Sequence, residues 1–354
     1  MRWAGWWWAS LFCSVSVACG GGSPSGSATI TIPDAGSPDG GPTADCSDLL
    51  PAPPGAAVTF DAPANPGEIC TNAIGDGEGV IAADAQLPST LLKRWFEFSP
   101  PYGKHGGSFD ATEIIAQPQG FIGVFLNTTS QMVNVTLWNA GGGIASSPVP
   151  VGIPGSVALG RGFGAGAISL SASPTALTVR KHDAGAVEVA SATVAGTFTP
   201  RAAAEDASGV VLALTGSGTT ISGVWVDLAK RTAGQSFAVG TGSTVSARPL
   251  LGGGVAVQLD GRWAGSVGPG ESALQPAPAW LGNVADFVPV RGGKAHALLP
   301  QSGNVVGIVS PAGTSCGSVT FPGVSNVSVG LDGSAIGATG TRGCTKVVWR
   351  SVLR

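Results

Sequence analysis

The sequence is poor in charge and contains very little tyrosine or methionine. Only 11% of its 354 residues are charged, and it has one tyrosine and two methionines. Low charge together with 56 glycines and 26 prolines argues against a helical bundle or a coiled coil. The net charge of −3 leaves no excess of Lys and Arg for phosphate groups, so we expect no nucleic-acid partner. A hydrophobic fraction of 43% argues against wholesale disorder.

The patterns of common catalytic and metal sites are missing as well. The three histidines are scattered, and no HExxH or CxxC spacing occurs: His105, His182 and His296. Residues 313–317 match G-x-S-x-G, but predicted strands on both sides make Ser315 part of a turn and not a nucleophile elbow. Residues 75–79 alternate acids with glycine yet lack the further oxygen ligands of a calcium loop. We therefore predict no metal, no cofactor and no catalytic residue.

The N-terminus has the pattern of a secretory signal. Residues 1–18 carry one positive charge at Arg2, then an apolar stretch and small residues. The stretch is too short to remain as a membrane span. Residues 16–19, SVAC, resemble the lipobox of bacterial lipoproteins, with Ser16 where that family usually has leucine. The resemblance implies that residues 1–18 are a lipoprotein signal peptide and that Cys19 is lipidated; an ordinary signal peptide is the alternative.

A Gly/Ser/Pro/Asp tract follows the predicted lipid attachment site. Residues 20–45 have almost no apolar periodicity, which predicts a flexible tether with a root-mean-square span of roughly 28 Å. By resemblance to Gram-negative lipoproteins, Gly20 lacks the aspartate associated with inner-membrane retention. The resemblance therefore implies an outer-membrane protein, anchored only by lipid, that faces the periplasm or the cell surface.

A glycine that precedes a short apolar strand recurs seven times along the rest of the chain. These anchor glycines are spaced by 39 to 46 residues: Gly79, Gly120, Gly166, Gly209, Gly254, Gly293 and Gly333. A second apolar run follows each, and Trp95, Trp225 and Trp349 each lie sixteen residues after their glycine. Alternating apolar residues and β-branched side chains predict several short strands per repeat.

Repeats of about 42 residues with four short strands are typical of propeller blades. The chain thus resembles β-propellers in architecture over residues 56–354, without the signatures of a named subfamily. We predict that residues 46–354 form an all-β domain, a seven-bladed β-propeller of four-stranded blades. The last repeat stops after its third strand, and residues 58–60 echo residues 319–321, which end the sixth repeat. An N-terminal strand is therefore predicted to complete the last blade and close the ring.

Cysteine use fits an oxidising compartment. Cys13 leaves with the signal and Cys19 takes the lipid, so four cysteines remain for two disulfides: Cys46, Cys70, Cys316 and Cys344. Three pairings are possible from sequence. In a closed ring, Cys70–Cys344 would join the first and last blades. The sequence-local alternative pairs Cys46 with Cys70 and Cys316 with Cys344.

Four arginines lie near predicted innermost strands and suggest an anion site in the central channel: Arg161, Arg201, Arg248 and Arg291. They precede their anchor glycines by five, eight, six and two residues, respectively. We hypothesise that their guanidinium groups converge on the channel.

The predicted function is that of a membrane-anchored lipoprotein, monomeric, whose propeller is a non-catalytic binding or scaffold module for a protein or glycan partner in the cell envelope. The alternative is a glycan-active hydrolase or lyase with its site over the channel, which needs paired carboxylates or a positioned histidine. The adjacent acids Glu205 and Asp206 should point to opposite sides of a strand. The sequence names neither the partner nor a reaction.

Overall fold

A computed structural model describes residues 46, 55–88, 92–139, 143–301, 303–350 and 352. The predicted signal peptide, the tether and Cys19 lie outside these residues. Within the described part, strands account for nearly all regular structure, and one short 3₁₀ helix spans Ala279–Leu281. No helix found there has the length and apolarity needed to cross a membrane.

Most strands form antiparallel sheets in which neighbours along the chain are neighbours in the sheet. The first strand, β1 (Ala57–Asp61), precedes them. Blade A contains β2 (Ala73–Gly75), β3 (Ile81–Ala85), β4 (Lys93–Phe98) and β5 (His105–Ala111). Blade B contains β6 (Glu113–Gln117), β7 (Gly120–Asn127), β8 (Met132–Trp138) and β9 (Val149–Gly152).

A larger sheet, called sheet C, follows blade B and has nine strands. Its first four strands are β10 (Val157–Arg161), β11 (Ala167–Ala172), β12 (Ala176–His182) and β13 (Glu188–Ala195). The other five are β14 (Pro200–Glu205), β15 (Val210–Ser217), β16 (Thr220–Asp227), β17 (Thr232–Ala233) and β18 (Phe237–Thr241).

Three further blades complete the domain. Blade D has three strands, β19 (Val245–Pro249), β20 (Val255–Leu259) and β21 (Arg262–Val267). Blade E has β22 (Val284–Val290), β23 (Ala295–Pro300), β24 (Val305–Val309) and β25 (Ser315–Thr320). Blade F has β26 (Asn326–Val329), β27 (Ala335–Thr339), β28 (Thr345–Trp349) and, as its fourth strand, β1.

The domain is an all-β propeller, but the prediction of seven four-stranded blades is wrong. The described strands form five separate blades of three or four strands and the nine-stranded sheet C. Sheet C is continuous because β10 pairs in parallel with β14, where Arg161 is opposite Ala204. Gly160 permits this approach: a Cβ atom there would lie 2.1 Å from the carbonyl oxygen of Ala203. Two consecutive repeats therefore join edge to edge instead of forming two blades.

The ring closes through its first strand, as predicted. In blade F, β1 pairs antiparallel with β28, from Ala57 opposite Trp349 to Asp61 opposite Thr345. Just beyond this pairing, the amide of Ala62 donates to the carbonyl of Cys344 at 2.9 Å. These bonds place β28 between β27 and β1, so β28 is not an edge strand and β1 becomes the outer strand of blade F.

Two disulfides reinforce the closure. Cys70 is bonded to Cys344, which joins the approach to blade A to blade F, while Cys46 is bonded to Cys316 on β25. The ring-closing pair is thus the one observed, and the sequence-local alternative is not. Each bond links positions 270 or more residues apart in the chain.

Apolar side chains pack between neighbouring sheets. Phe121 and Trp138 of blade B contact the same buried cluster as Trp95 and Phe109 of blade A, and Phe109 stacks on Trp138 with ring centroids 4.5 Å apart. The hydrophobic core is therefore divided into clusters between neighbouring sheets around the ring. The first strand of each unit lines the channel at the centre.

The seven anchor glycines adopt the left-handed backbone that glycine permits, with φ between +81° and +101°. Three of them donate their N–H to a side chain of the preceding unit. Asp76 accepts from Gly120 at 2.9 Å, Gln117 from Gly166 at 2.6 Å, and Asp206 from Gly254 at 2.9 Å. The repeated glycine thus serves both a turn and the contact between units.

Candidate functional site: the central channel

The first strands of the units line the central channel. A cavity of about 640 Å³ is bounded by β6, β10, β14 and β19, and a second of about 220 Å³ by β2, β22 and β26. The larger cavity also touches Leu126, Val133 and Pro154, near the turn between the second and third strands of blade B and the link that follows it. We call this end of the ring the second-turn face. The opposite end, which carries the turns between first and second strands, is the first-turn face.

Two of the predicted arginines meet in the middle of the channel with two acids. Arg248 makes a bidentate ion pair with Asp286, from Nε to Oδ1 at 2.8 Å and from Nη2 to Oδ2 at 3.0 Å. Arg161 and Glu113 face the same group and interact electrostatically with it. Within the described residues, the side chains of Arg161 and Glu113 make no hydrogen bond or ion pair.

Desolvation and the neighbouring charges together shift the pKa values of these channel side chains. Desolvation and the neighbouring charge of Arg248 together lower the pKa of Arg161 to about 10, against the opposing effect of the two acids, so Arg161 stays cationic at neutral pH. Desolvation raises the pKa of Glu113 against the opposing effect of the arginines. For Asp286, desolvation acts upward but the charges of Arg248 and Arg161 prevail, and the pKa is lowered. The two acids therefore have pKa values shifted in opposite directions.

The other two predicted arginines lie elsewhere along the channel. Arg201 lines the larger cavity, and its Nη2 donates to the carbonyl of Gly218 at 2.8 Å. Arg291 lies beside a third cavity of about 480 Å³ on the first-turn face, together with Gly292 and Asp332. The four arginines do not form one ring. Their position along the channel follows their distance in sequence from the anchor glycine. Arg201, eight residues before its glycine, lines the cavity on the second-turn face, and Arg291, two residues before its glycine, lies on the first-turn face.

Sequence reasoning missed Glu113 and Asp286. Each precedes its anchor glycine, Gly120 or Gly293, by seven residues, which places Glu113 at the start of β6 and Asp286 near the start of β22. Counting residues back from the anchor glycine, as was done for the arginines, would have identified both acids as channel residues.

A buried lysine lies beside the smaller cavity. Lys346 is 1% exposed and its Nζ donates to the carbonyl of Cys70 at 3.4 Å. Desolvation lowers its pKa to about 8, so that it is mostly protonated at neutral pH. It is next to the ring closure and belongs to a different wall of the channel from Glu113.

The three histidines are not brought together. His182 is fully buried, with Nε2 2.8 Å from Ser169 Oγ, and desolvation lowers its pKa. His296 accepts the amide of Leu251 at 3.1 Å, and desolvation lowers its pKa to about 4. His105 is exposed and contacts aromatic rings on β4. None of the three lines a channel cavity described above.

The remaining sequence candidates have structural partners. Ser315 begins β25 beside the disulfide at Cys316. Glu205 forms an ion pair with Lys181, while Asp206 accepts from the amide of Gly254, so the adjacent acids face different neighbours. In the part of the chain that the structure covers, no three His, Cys, Asp or Glu side chains are grouped to hold a metal ion.

Comparison with known proteins identifies no family. No protein-family model and no curated protein sequence matches this chain. Solved structures similar to it include the β-propeller domain of Cps50 (Swd1) from Myceliophteria thermophila, with 12% identity, 80% of this chain and 99% of that chain covered, and a TM-score of 0.46. Streptogramin B lyase has 9% identity, 84% and 98% coverage, and a TM-score of 0.45. BamB from Moraxella catarrhalis has 10% identity, 84% and 99% coverage, and a TM-score of 0.34.

These similarities carry no argument about the activity of this chain. The propeller fold follows from the strand order and the closure by β1.

Proposed function

We propose that this protein is an exported lipoprotein, anchored at Cys19 in the outer membrane, whose propeller binds a protein or glycan partner of the cell envelope without catalysis. The supporting observation is how the carboxylates are used. Asp76 and Asp206 hold the anchor glycine of the next unit, and Glu205 is paired with Lys181. These three carboxylates thus hold the ring together and are not available as an acid or a base.

The anchor can be tested separately from the partner. Full-length protein is produced in bacteria with a labelled fatty acid, alongside a Cys19→Ser variant. The proposal expects label and membrane association in the wild type and loss of both in the variant. A wild type that carries no label would remove the lipoprotein assignment and leave an ordinary exported protein.

Partner binding is tested by photo-crosslinking in intact cells. A crosslinking residue is placed either at Ser130, exposed on the second-turn face, or at Ala207, exposed on the first-turn face. Because loop faces carry most propeller contacts, we expect a discrete adduct from one face and not from the other. Absence of an adduct from both positions, on correctly folded protein, would count against a binding module.

A glycan-active hydrolase is the second candidate, and one observation favours it. Glu113 and Asp286 are two channel acids whose pKa values are shifted apart, a pattern found in acid and base pairs. Against it, both carboxylate oxygens of Asp286 accept from Arg248, and the arginine charges lower the pKa of Asp286, which makes it a weaker base toward water. Release of reducing ends from envelope glycans by wild type but not by Glu113→Gln would establish the hydrolase.

A further inference from the structure

We propose that the 640 Å³ cavity on the second-turn face binds a small organic carboxylate, with its carboxylate group on Arg161 and its apolar body against the first strands. The inference rests on the proposed binding function and names a ligand class for it. It concerns a small molecule that enters the channel, whereas the crosslinking experiment concerns a macromolecule on a loop face.

Arg161 is the centre of the argument. Arg161 lines the 640 Å³ cavity, the 220 Å³ cavity and a small space of about 30 Å³. Other described residues accept no hydrogen bond from it, although it stays charged at neutral pH. A charged group that is partly removed from water needs compensation. The planar guanidinium fork matches a carboxylate in a bidentate geometry.

The charge of the cavity favours an anion. Three arginines line it, Arg161, Arg201 and Arg248, against one acid, Glu113. Arg248 is already paired with Asp286, and Arg201 donates to the carbonyl of Gly218 without an acidic partner. The cavity therefore keeps the positive charge of Arg161 and Arg201, and of the two Arg161 lacks any hydrogen-bond acceptor among the described residues. The carboxyl of Glu113 opposes an incoming anion when ionised, and desolvation reduces that opposition by raising the pKa of Glu113 and so favouring its neutral form.

The walls favour an organic anion over a bare inorganic one. Apolar side chains from several first strands line the cavity: Ile115, Val157, Leu159, Ala202 and Val245. Its volume lies in the range of about 300–1,000 Å³ typical of small-ligand pockets. A carboxylate with a short aliphatic or aromatic body satisfies Arg161 and covers these walls together.

Calorimetric titration of the full-length protein in detergent tests the proposal. The probes are benzoate and hexanoate, with acetate and inorganic phosphate as anions that lack an apolar body. We expect benzoate or hexanoate to bind more tightly than acetate or phosphate. Arg161→Gln should weaken that binding by about tenfold or more, because a charge-assisted pair is lost. Arg262→Gln, which removes an exposed arginine on β21, should leave affinity within about twofold.

Glu113→Gln should change the affinity for the carboxylate probes in the opposite direction. Only the ionised carboxyl opposes the anion, so Glu113→Gln should strengthen binding by about threefold or more at pH 8 and by less at pH 6. A merely structural role for Glu113 would leave binding unchanged or weaken it. Melting temperatures of the three variants confirm that each is folded before affinities are compared.

Two results would overturn the proposal. In one, Arg161→Gln binds the organic carboxylates as tightly as wild type. In the other, no probe gives a titration with wild type at millimolar concentration. Either result leaves the crosslinking outcome unaffected, so failure of the carboxylate site and failure of partner binding are distinguishable.

Discussion

Single polar side chains in the first turn of a unit hold the neighbouring unit in place. Asp76, Gln117 and Asp206 each lie three residues before their own anchor glycine and accept the N–H of the next one. Asp76 also accepts the amides of Glu78 and Val80 at 2.8 Å. Of the two acids in residues 75–79 that a calcium loop would have used as ligands, Asp76 thus holds backbone amides, and Glu78 accepts from the side chain of Gln119.

Removal of Asp76 should cost stability. Asp76→Ala leaves the buried N–H of Gly120 without its acceptor and opens the turn, so we expect the free energy of unfolding to fall by about 1–3 kcal/mol. Urea unfolding measures it. Asp110→Ala, an exposed strand position on β5, is the matched control and should change stability by less than about 0.5 kcal/mol. Equal losses in both variants would contradict the assigned role.

The same carboxyl should make stability pH-dependent. Desolvation raises the pKa of Asp76 from 3.8 to about 6, despite the backbone bonds that lower it. Because the folded-state pKa is the higher one, the native protein takes up a proton first as the pH falls, and this group's contribution to stability rises between pH 7 and pH 4. Wild type should therefore gain stability relative to Asp76→Asn between pH 7.5 and pH 5. Parallel unfolding free energies at the two pH values would show that Asp76 does not titrate in this range.

At the level of elements, the contact between β10 and β14 depends on one glycine. A Cβ atom at Gly160 would overlap the carbonyl oxygen of Ala203, so Gly160→Ala must separate the two strands. We expect a loss of about 1–3 kcal/mol in urea unfolding, and faster amide hydrogen exchange at Ala204. Gly103→Ala is the control, since a Cβ there meets nothing within 4 Å. An unchanged exchange rate in Gly160→Ala would mean that the pairing contributes little to sheet C.

This contact also explains where sequence reasoning succeeded and failed. The repeat of glycine and apolar strand follows from local patterning, and the echo of residues 58–60 in residues 319–321 was enough to predict closure by β1. Whether adjacent repeats hydrogen-bond to each other depends on how closely their backbones approach. Gly160, which lacks a Cβ atom, allows β10 to approach β14 closely, and the pattern of repeats in the sequence does not show this. The hypothesis that four arginines converge on the channel did not anticipate that Arg248 pairs with Asp286, because that contact joins residues 38 positions apart on different strands.

At the level of the whole molecule, the disulfides add to the hydrogen bonds of the closure. Loss of Cys70–Cys344 in a Cys70→Ala/Cys344→Ala variant should lower the free energy of unfolding by about 2–5 kcal/mol. Urea unfolding under non-reducing conditions gives the value. Peptide mapping without reductant should recover Cys46 joined to Cys316 and Cys70 joined to Cys344. A fragment that joins Cys46 to Cys70 would contradict this closure.

The pairing of β1 with β28 has a consequence for how the chain reaches its native state. Ala57 must find Trp349, 292 residues later, so the decisive contact has very high contact order and should be slow to form. Synthesis from the N-terminus makes β1 first and its partner last, and unpaired strand edges invite aggregation for as long as they are exposed. The edge of the first strand that pairs with β28 therefore has no native partner until almost the whole chain has been made.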